Sequence, residues 1–165
     1  TSLNNNLLGR FNTATGAGSL EGNTNGVDNT ANGFQSLYVN TTGINNTAVG
    51  ARALIANTTG HNNTAVGLSA LASITTGRFN TAVGSGALRT SSGVIFHNTV
   101  IGYESMSHAS GNSNVSVGSW SLLSNTGNEN VAVGMQSMGQ ASEGSMNTAI
   151  GTRALTMKAG PPNGG

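Results

Sequence analysis

Cysteine is absent from the 165 residues, so neither a disulfide framework nor a thiolate metal site can form, although this leaves the compartment open. Charge is scarce: Asp, Glu, Lys and Arg together make up 7% of the chain, against roughly a quarter in a typical soluble domain. The six Lys and Arg form no run and the net charge is +1, which offers no footprint for nucleic acid and no basic face for a membrane surface. No apolar stretch approaches the ~20 residues of a membrane span, so no membrane insertion is expected. The opening residues are not expected to be a secretory leader. Aromatics are 4% and prolines number two. Gly, Asn, Thr, Ser and Ala take the vacated share.

These residues are not scattered. Asn46-Thr47-Ala48-Val49-Gly50 returns as Asn63-Thr64-Ala65-Val66-Gly67. With that Asn as column 1, it recurs at Asn12, Asn29, Asn46, Asn63, Asn80, Asn98, Asn114, Asn130 and Asn147, in steps of 17, 17, 17, 17, 18, 16, 16 and 17. Column 5 is glycine throughout: Gly16, Gly33, Gly50, Gly67, Gly84, Gly102, Gly118, Gly134 and Gly151. Column 9 is always Leu or Met, preceded by Ala or Ser, and a second glycine closes each phrase, at Gly26, Gly43, Gly60, Gly77, Gly93, Gly111, Gly127, Gly144 and Gly160. Leu3 stands before Gly9 as Leu20 does before Gly26. The opening therefore reads as the tail of an earlier unit, and the chain as a piece of a longer polypeptide.

Two obligate glycines per unit leave no room for a helix, and Thr, Val and Ile in columns 2 and 4 favour strands. The expected unit is a strand over columns 1–4, a glycine corner, a second short strand or extended segment around column 9, and a polar return turn such as Asn57-Thr58-Thr59-Gly60. One unit cannot bury its own apolar face, so units must stack. The fold class expected is all-β, a parallel β-solenoid (β-roll or β-helix) of nine 17-residue coils over residues 1–157. At about 4.8 Å per rung it is a rod roughly 43 Å long. Residues 158–165, with Pro161 and Pro162, read as a stop or linker because proline cannot donate to a ladder.

The nine column-1 asparagines have two readings. Stacked amides can bond to their own turn and to the Asn above; this is the structural-ladder expectation. The other reading is a repeated ligand or glycosylation site, for which Asn40-Thr41-Thr42, Asn57-Thr58-Thr59 and Asn62-Asn63-Thr64 are weak support in so Asn- and Thr-rich a repeat. One Val or Ile of column 4 and one Leu or Met of column 9 are the expected core of each coil, which is thin against the entropy of ordering 17 residues. The small column-3 residues, such as Ala48 and Ala65, would then face outward against another chain. A homo-oligomer with the column 2–4 strand at the interface is the consequence.

No chemistry is evident. The acids Glu21, Asp28, Glu104, Glu129 and Glu143 do not pair in neighbouring coils, and His61, His97 and His108 are too sparse for a metal cluster. No catalytic residue, metal or cofactor is expected. Columns 6 and 7 vary while their neighbours stay constant, which marks an outward face. Aromatics there (Phe34, Tyr103, Trp120, with Tyr38 nearby) suit either stacking on a glycan or packing between subunits and over the roll's edge. Between Gly93 and Asn98 the insertion Val94-Ile95-Phe96-His97 reads as an interchain plug or a contact loop.

The phrase Asn-Thr-Ala-Val-Gly-x-x-Ala-Leu, closed by Asn-Thr-Thr-Gly, resembles the 17-residue repeats of tail-fibre-type proteins of bacteriophages and Bacteroidetes, often found upstream of an endosialidase-type intramolecular chaperone domain. It is also similar, in the Asn-to-Gly strand, to the shorter head repeats of trimeric autotransporter adhesins. The resemblance covers Leu3 to Leu155. It implies a homotrimer of left-handed parallel β-rolls on a virion or outside a cell, where a structural, adhesive shaft presents receptor-binding parts and meets a surface glycan or other receptor. From the residues alone, an ice-binding solenoid is the alternative. It would use the Thr columns at Asn40–Thr42, Asn57–Thr59 and Ile74–Thr76, which degrade at Ser91-Ser92, Ala109-Ser110 and Ala141-Ser142. A polysaccharide-cleaving spike is a third reading that lacks its carboxylate pair.

Overall fold

The computed structural model describes residues 5–89, 94–140 and 143–156. Leu3, Gly93, Gly160, the Ser91-Ser92 and Ala141-Ser142 steps and the 158–165 segment lie outside the described residues. The described residues contain no helix and nine strands of three residues each: β1 (Thr13–Thr15), β2 (Thr30–Asn32), β3 (Thr47–Val49), β4 (Thr64–Val66), β5 (Thr81–Val83), β6 (Thr99–Ile101), β7 (Val115–Val117), β8 (Val131–Val133) and β9 (Thr148–Ile150). They form one parallel sheet in sequence order, so the chain climbs one rung per repeat and makes about eight turns of a β-solenoid.

Register is constant. Thr47 pairs with Thr64 and Ala48 with Ala65, and the irregular units keep the same alignment, Thr81 with Thr99 and Thr99 with Val115. Length changes are therefore absorbed outside the strands. In the 18-residue unit Ile95 turns inward and is buried. Its carbonyl accepts from Asn80 Nδ2 at 2.9 Å, the place that the Gly77 carbonyl takes for Asn63 one coil earlier. Ile95 thus takes, in this unit, the structural place of the phrase-closing glycine. Of the inserted residues, Ile95 therefore packs into its own coil while Val94 stays exposed.

The expected second strand around column 9 is absent. The leucines and methionines of that column sit instead in left-handed backbone, from Leu20 at φ 49° to Leu155 at φ 50°. The residue before column 1 and the non-glycine residues of column 7 do the same, as at Asn45 (φ 56°) and Arg52 (φ 59°). A non-glycine residue there costs about 1–2 kcal/mol. Burying a leucine side chain returns a similar amount, about 1.5–3 kcal/mol. Rung bonding nevertheless continues around these corners: Leu37 N–H donates to the Ala53 carbonyl at 3.0 Å and Thr41 N–H to the Thr58 carbonyl at 2.9 Å.

Burial inverts the expected strand faces. The column-3 residues Ala31, Ala48, Ala65, Ala82, Val100 and Ala132 are fully buried, while Val49, Val83 and Ile101 of column 4 are 38%, 38% and 43% exposed. Sliding an alternating strand by one residue exchanges its faces. Here the interior decides, because it already holds the Leu or Met of column 9 and the asparagine columns, leaving room opposite for a small side chain, alanine in most coils and Val100 in β6. Where β7 places Ser116 inward, its hydroxyl meets Ser105 Oγ at 2.7 Å.

The asparagine columns carry the polar interior. Asn29 Oδ1 accepts both the main-chain N–H and the Nδ2–H of Asn46, at 3.0 and 3.1 Å, and Asn46 Nδ2 also donates to the Gly60 carbonyl at 2.8 Å. The main-chain N–H bond to the preceding Asn Oδ1 repeats at every step from Asn12 to Asn147. A second column, in position 12, runs through Asn6, Asn23, Asn40 and Asn57 with Nδ2-to-Oδ1 bonds of 2.7, 2.8 and 2.8 Å. It stops at Ile74, which leaves Asn57 Oδ1 buried with no partner.

Two comparisons test these contacts. Asn40→Ala strands Asn23 Oδ1 and removes the acceptor of Asn57 Nδ2, whereas Asn57→Ala strands only Asn40 Oδ1 and deletes an oxygen already unpaired. Asn40→Ala should therefore destabilise the fold by about 1–3 kcal/mol more than Asn57→Ala, read as urea midpoints at one protein concentration; equal midpoints would contradict the stacked-amide account. Gly50 and Gly151 share φ 125°, but a Cβ on Gly50 would lie 2.6 Å from the Gly67 carbonyl oxygen, and one on Gly151 meets nothing nearer than 4.0 Å. Gly50→Ala should lower the thermal midpoint more than Gly151→Ala, by an overpacking cost of about 1–3 kcal/mol.

Candidate functional site

Chemistry requires side chains that converge, and the stacked coil brings together mainly residues of the same or nearby columns on neighbouring rungs. Among the described residues no three His, Asp or Glu side chains gather in metal-binding geometry. The nine column-1 asparagines are committed inward: Asn29 through Asn130 are buried, and Asn12 and Asn147 at the two ends are half-buried. Asn40 and Asn57, the acceptors of two glycosylation sequons, are also buried, whereas Asn62 is exposed. The nine column-5 glycines lie at the corner after each strand, with φ between 114° and 139°.

Two surfaces remain. The first is the outer face of the nine-stranded sheet. From β3 to β9 its third strand position is Val49, Val66, Val83, Ile101, Val117, Val133 and Ile150, an unbroken aliphatic column. Beside it, the first strand position is threonine from Thr13 to Thr99 over six rungs. Column 6 extends the apolar character with Phe34, Leu68, Tyr103 and Met135, all exposed. Val49, Val83, Ile101 and Ile150 are exposed and Val66, Val117 and Val133 half-buried, and a continuous aliphatic column of this length is unusual on a monomeric surface.

The second surface is a notch at the corner after the sheet. The structure separates the four aromatics singled out from sequence. Phe34 and Tyr38 belong to the second coil, Tyr38 lying over Gly18, whose added Cβ would be 3.4 Å from Tyr38 Cδ2. Tyr103 and Trp120 stand four and five rungs further on, beyond roughly 19 Å. These two meet edge to face with ring centroids 5.6 Å apart. Trp120 Nε1–H donates to Glu104 Oε2 at 3.2 Å, and Glu104 Oε1 faces Arg89 Nη2 at 3.7 Å. Below Tyr103, the rung of Ser85 and Gly86 carries almost no side chain, and the rung beneath returns to Leu68 and Ser69. The result is a cavity of about 200 Å³ lined by Leu68, Ser69, Ser85, Gly86, Arg89, Tyr103 and Glu104. Sequence reading found Tyr103 and Trp120 but missed Arg89, Glu104 and Gly86. The available signal was glycine in column 7 between Ser69 and Glu104, with an arginine three residues on.

His61 is held differently from its two counterparts. Ile44 N–H donates to His61 Nδ1 at 3.1 Å, so the ring is bound as the neutral form, while His97 stacks on Phe79 at 5.0 Å. Burial, and secondarily the Arg78 charge, lower the His61 pKa below its ordinary value. No family model matches the chain, and no curated protein or solved structure is significantly similar to it.

A depressed histidine pKa means that the unfolded chain takes up the proton first. The stability held by neutral His61 is complete above the ordinary histidine value of about 6.5 and is lost as pH falls through that value toward the lowered one. The thermal midpoint should therefore decline as pH falls below ~6.5. In His61→Leu this decline should be reduced; an unchanged profile would remove His61 as its source.

Proposed function

We propose that this chain is a non-enzymatic fibre segment: a rigid rod, assembled from copies of itself, that spaces or presents receptor-binding parts outside the cell or on a virion. The observation that carries this reading is the aliphatic column Val49 to Ile150 on the outer face of seven rungs of a continuous sheet, exposed at four of them and half-buried at three. A sheet face of this kind lowers its free energy by packing against an equivalent face, at about 25 cal/mol per Å² of apolar surface removed from water. Association through the strand face was expected from the sequence, with the column-3 alanines in contact. Those alanines are interior, so the proposed contact passes to the threonines of column 2 and the aliphatics of column 4. Three copies around a common axis, with left-handed coils, is the finer form of the proposal, and it rests on the resemblance to tail-fibre and adhesin repeats.

A second reading has its own support. Thr13, Thr30, Thr47, Thr64, Thr81 and Thr99 form a regular outward column at rung spacing, the kind of array an ice-binding face requires. The threonines first considered for that role are less available, because Thr41 and Thr58 donate their hydroxyls to carbonyls of the next coil at 3.0 and 3.1 Å.

Sedimentation equilibrium separates the two. The fibre reading expects a multiple of the 16.4 kDa chain mass, reduced to the single-chain mass by Val49→Glu combined with Val83→Glu. Both positions are exposed, so each change should alter the stability of the isolated coil by no more than about 0.5 kcal/mol. A folded wild-type particle at single-chain mass overturns self-assembly, and thermal hysteresis by that particle would install the ice-binding reading.

A further inference from the structure

The corner notch differs from the rest of the rod in being polar on one wall and apolar on two others. Its apolar walls are Leu68 below and Tyr103 above, two rungs or about 9.6 Å apart, and its floor is Ser85 and Gly86. Its polar wall is a carboxylate beside a guanidinium. The Glu104 carboxylate is fixed at both oxygens, by Trp120 Nε1–H at 3.2 Å and by Arg89 at 3.7 Å. The Arg89 side chain is 41% exposed, so its guanidinium offers N–H donors beside the carboxylate.

The chemistry of this wall selects its occupant. Glu104 disfavours an anion and Arg89 disfavours a cation, so the ligand is neutral. An acceptor next to a donor suits neighbouring hydroxyls, each of which donates through its hydrogen and accepts through its oxygen. Apolar walls with a few placed polar groups are the usual composition of a small-molecule site. The geometry points to a saccharide site in which one neutral pyranose unit sits between Leu68 and Tyr103, its vicinal hydroxyls bridging Glu104 and Arg89. Phe34 and Tyr38, on a distant coil, take no part. The site lies on one chain and does not depend on self-assembly through the sheet face.

Trp120 is the single tryptophan of the chain, and its indole N–H is bonded to the carboxylate that the sugar would contact, so its emission reports occupancy. Titration of the intact chain with the methyl glycosides of glucose, galactose and mannose should give a saturable emission change for at least one, with Kd of about 1 mM. Glu104→Gln should weaken that sugar about tenfold. Gly86→Gln should abolish the response by filling the notch. Column 7 carries Gln35 and Gln136 at φ 53° and 57°, so Gln suits this corner, and a thermal midpoint near wild type checks that the fold is kept. No saturable change with any of the three, a response retained in Gly86→Gln, or stronger binding of glucuronate than of all three neutral sugars would each overturn the proposal.

Discussion

Everything in this molecule depends on the main-chain hydrogen bonds that join each coil to the next. They hold successive coils about 4.8 Å apart, and that spacing dictates what may stand in each column. A Cβ at Gly50 would collide with the Gly67 carbonyl, so column 5 stays glycine for close approach as much as for its φ. An interior asparagine is acceptable because the coil above presents an identical amide at bonding distance, as Asn46 does for Asn29. The Ile74 step shows the converse. Remove one amide from a column and the oxygen below it, on Asn57, is left without a partner.

The same spacing separates scaffold from surface. Interior columns must agree with their neighbours rung after rung, so they repeat. Outward columns answer only to solvent or a partner. The sheet face uses that freedom little, remaining Thr and Val or Ile along most of its length, which fits a contact shared by many equivalent rungs. The corner after the sheet uses it fully: Leu68, Ser85 and Tyr103 differ in size on successive rungs, and a notch results. Regularity on one face and irregularity on the next suit assembly and recognition respectively.

Much of the architecture was legible in the sequence. The recurrence of Asn, Gly and Leu locates every rung, and the β-branched residues of columns 2 and 4 locate every strand to within a residue. Other features escaped. The second asparagine column, Asn23, Asn40 and Asn57, has the same spacing as the first, but within Asn-Thr-Thr-Gly it reads as turn chemistry. Column 9 reads as extended because leucine rarely adopts positive φ; only the geometry of closing a 17-residue coil places it there. Arg89 and Glu104 belong to different coils, and nothing in their linear order announces that they flank one cavity.

The sequence by itself determined the period, the stacking, the parallel order of the strands and the requirement for glycine at fixed corners, since a repeat of this length with two obligate glycines has no other compact use for its residues. Only the tertiary structure decided which side of each strand is inside. A three-residue strand offers one residue to one face and two to the other, and Ala48 between Thr47 and Val49 fits either arrangement locally. The choice follows volume: where the Leu54 side chain and two asparagine columns occupy the interior, Ala48 fits there and Val49 is turned out, and in β6 Val100 is taken in while Ile101, the larger, is turned out. That inversion puts an aliphatic column on the surface, where it is available to a partner.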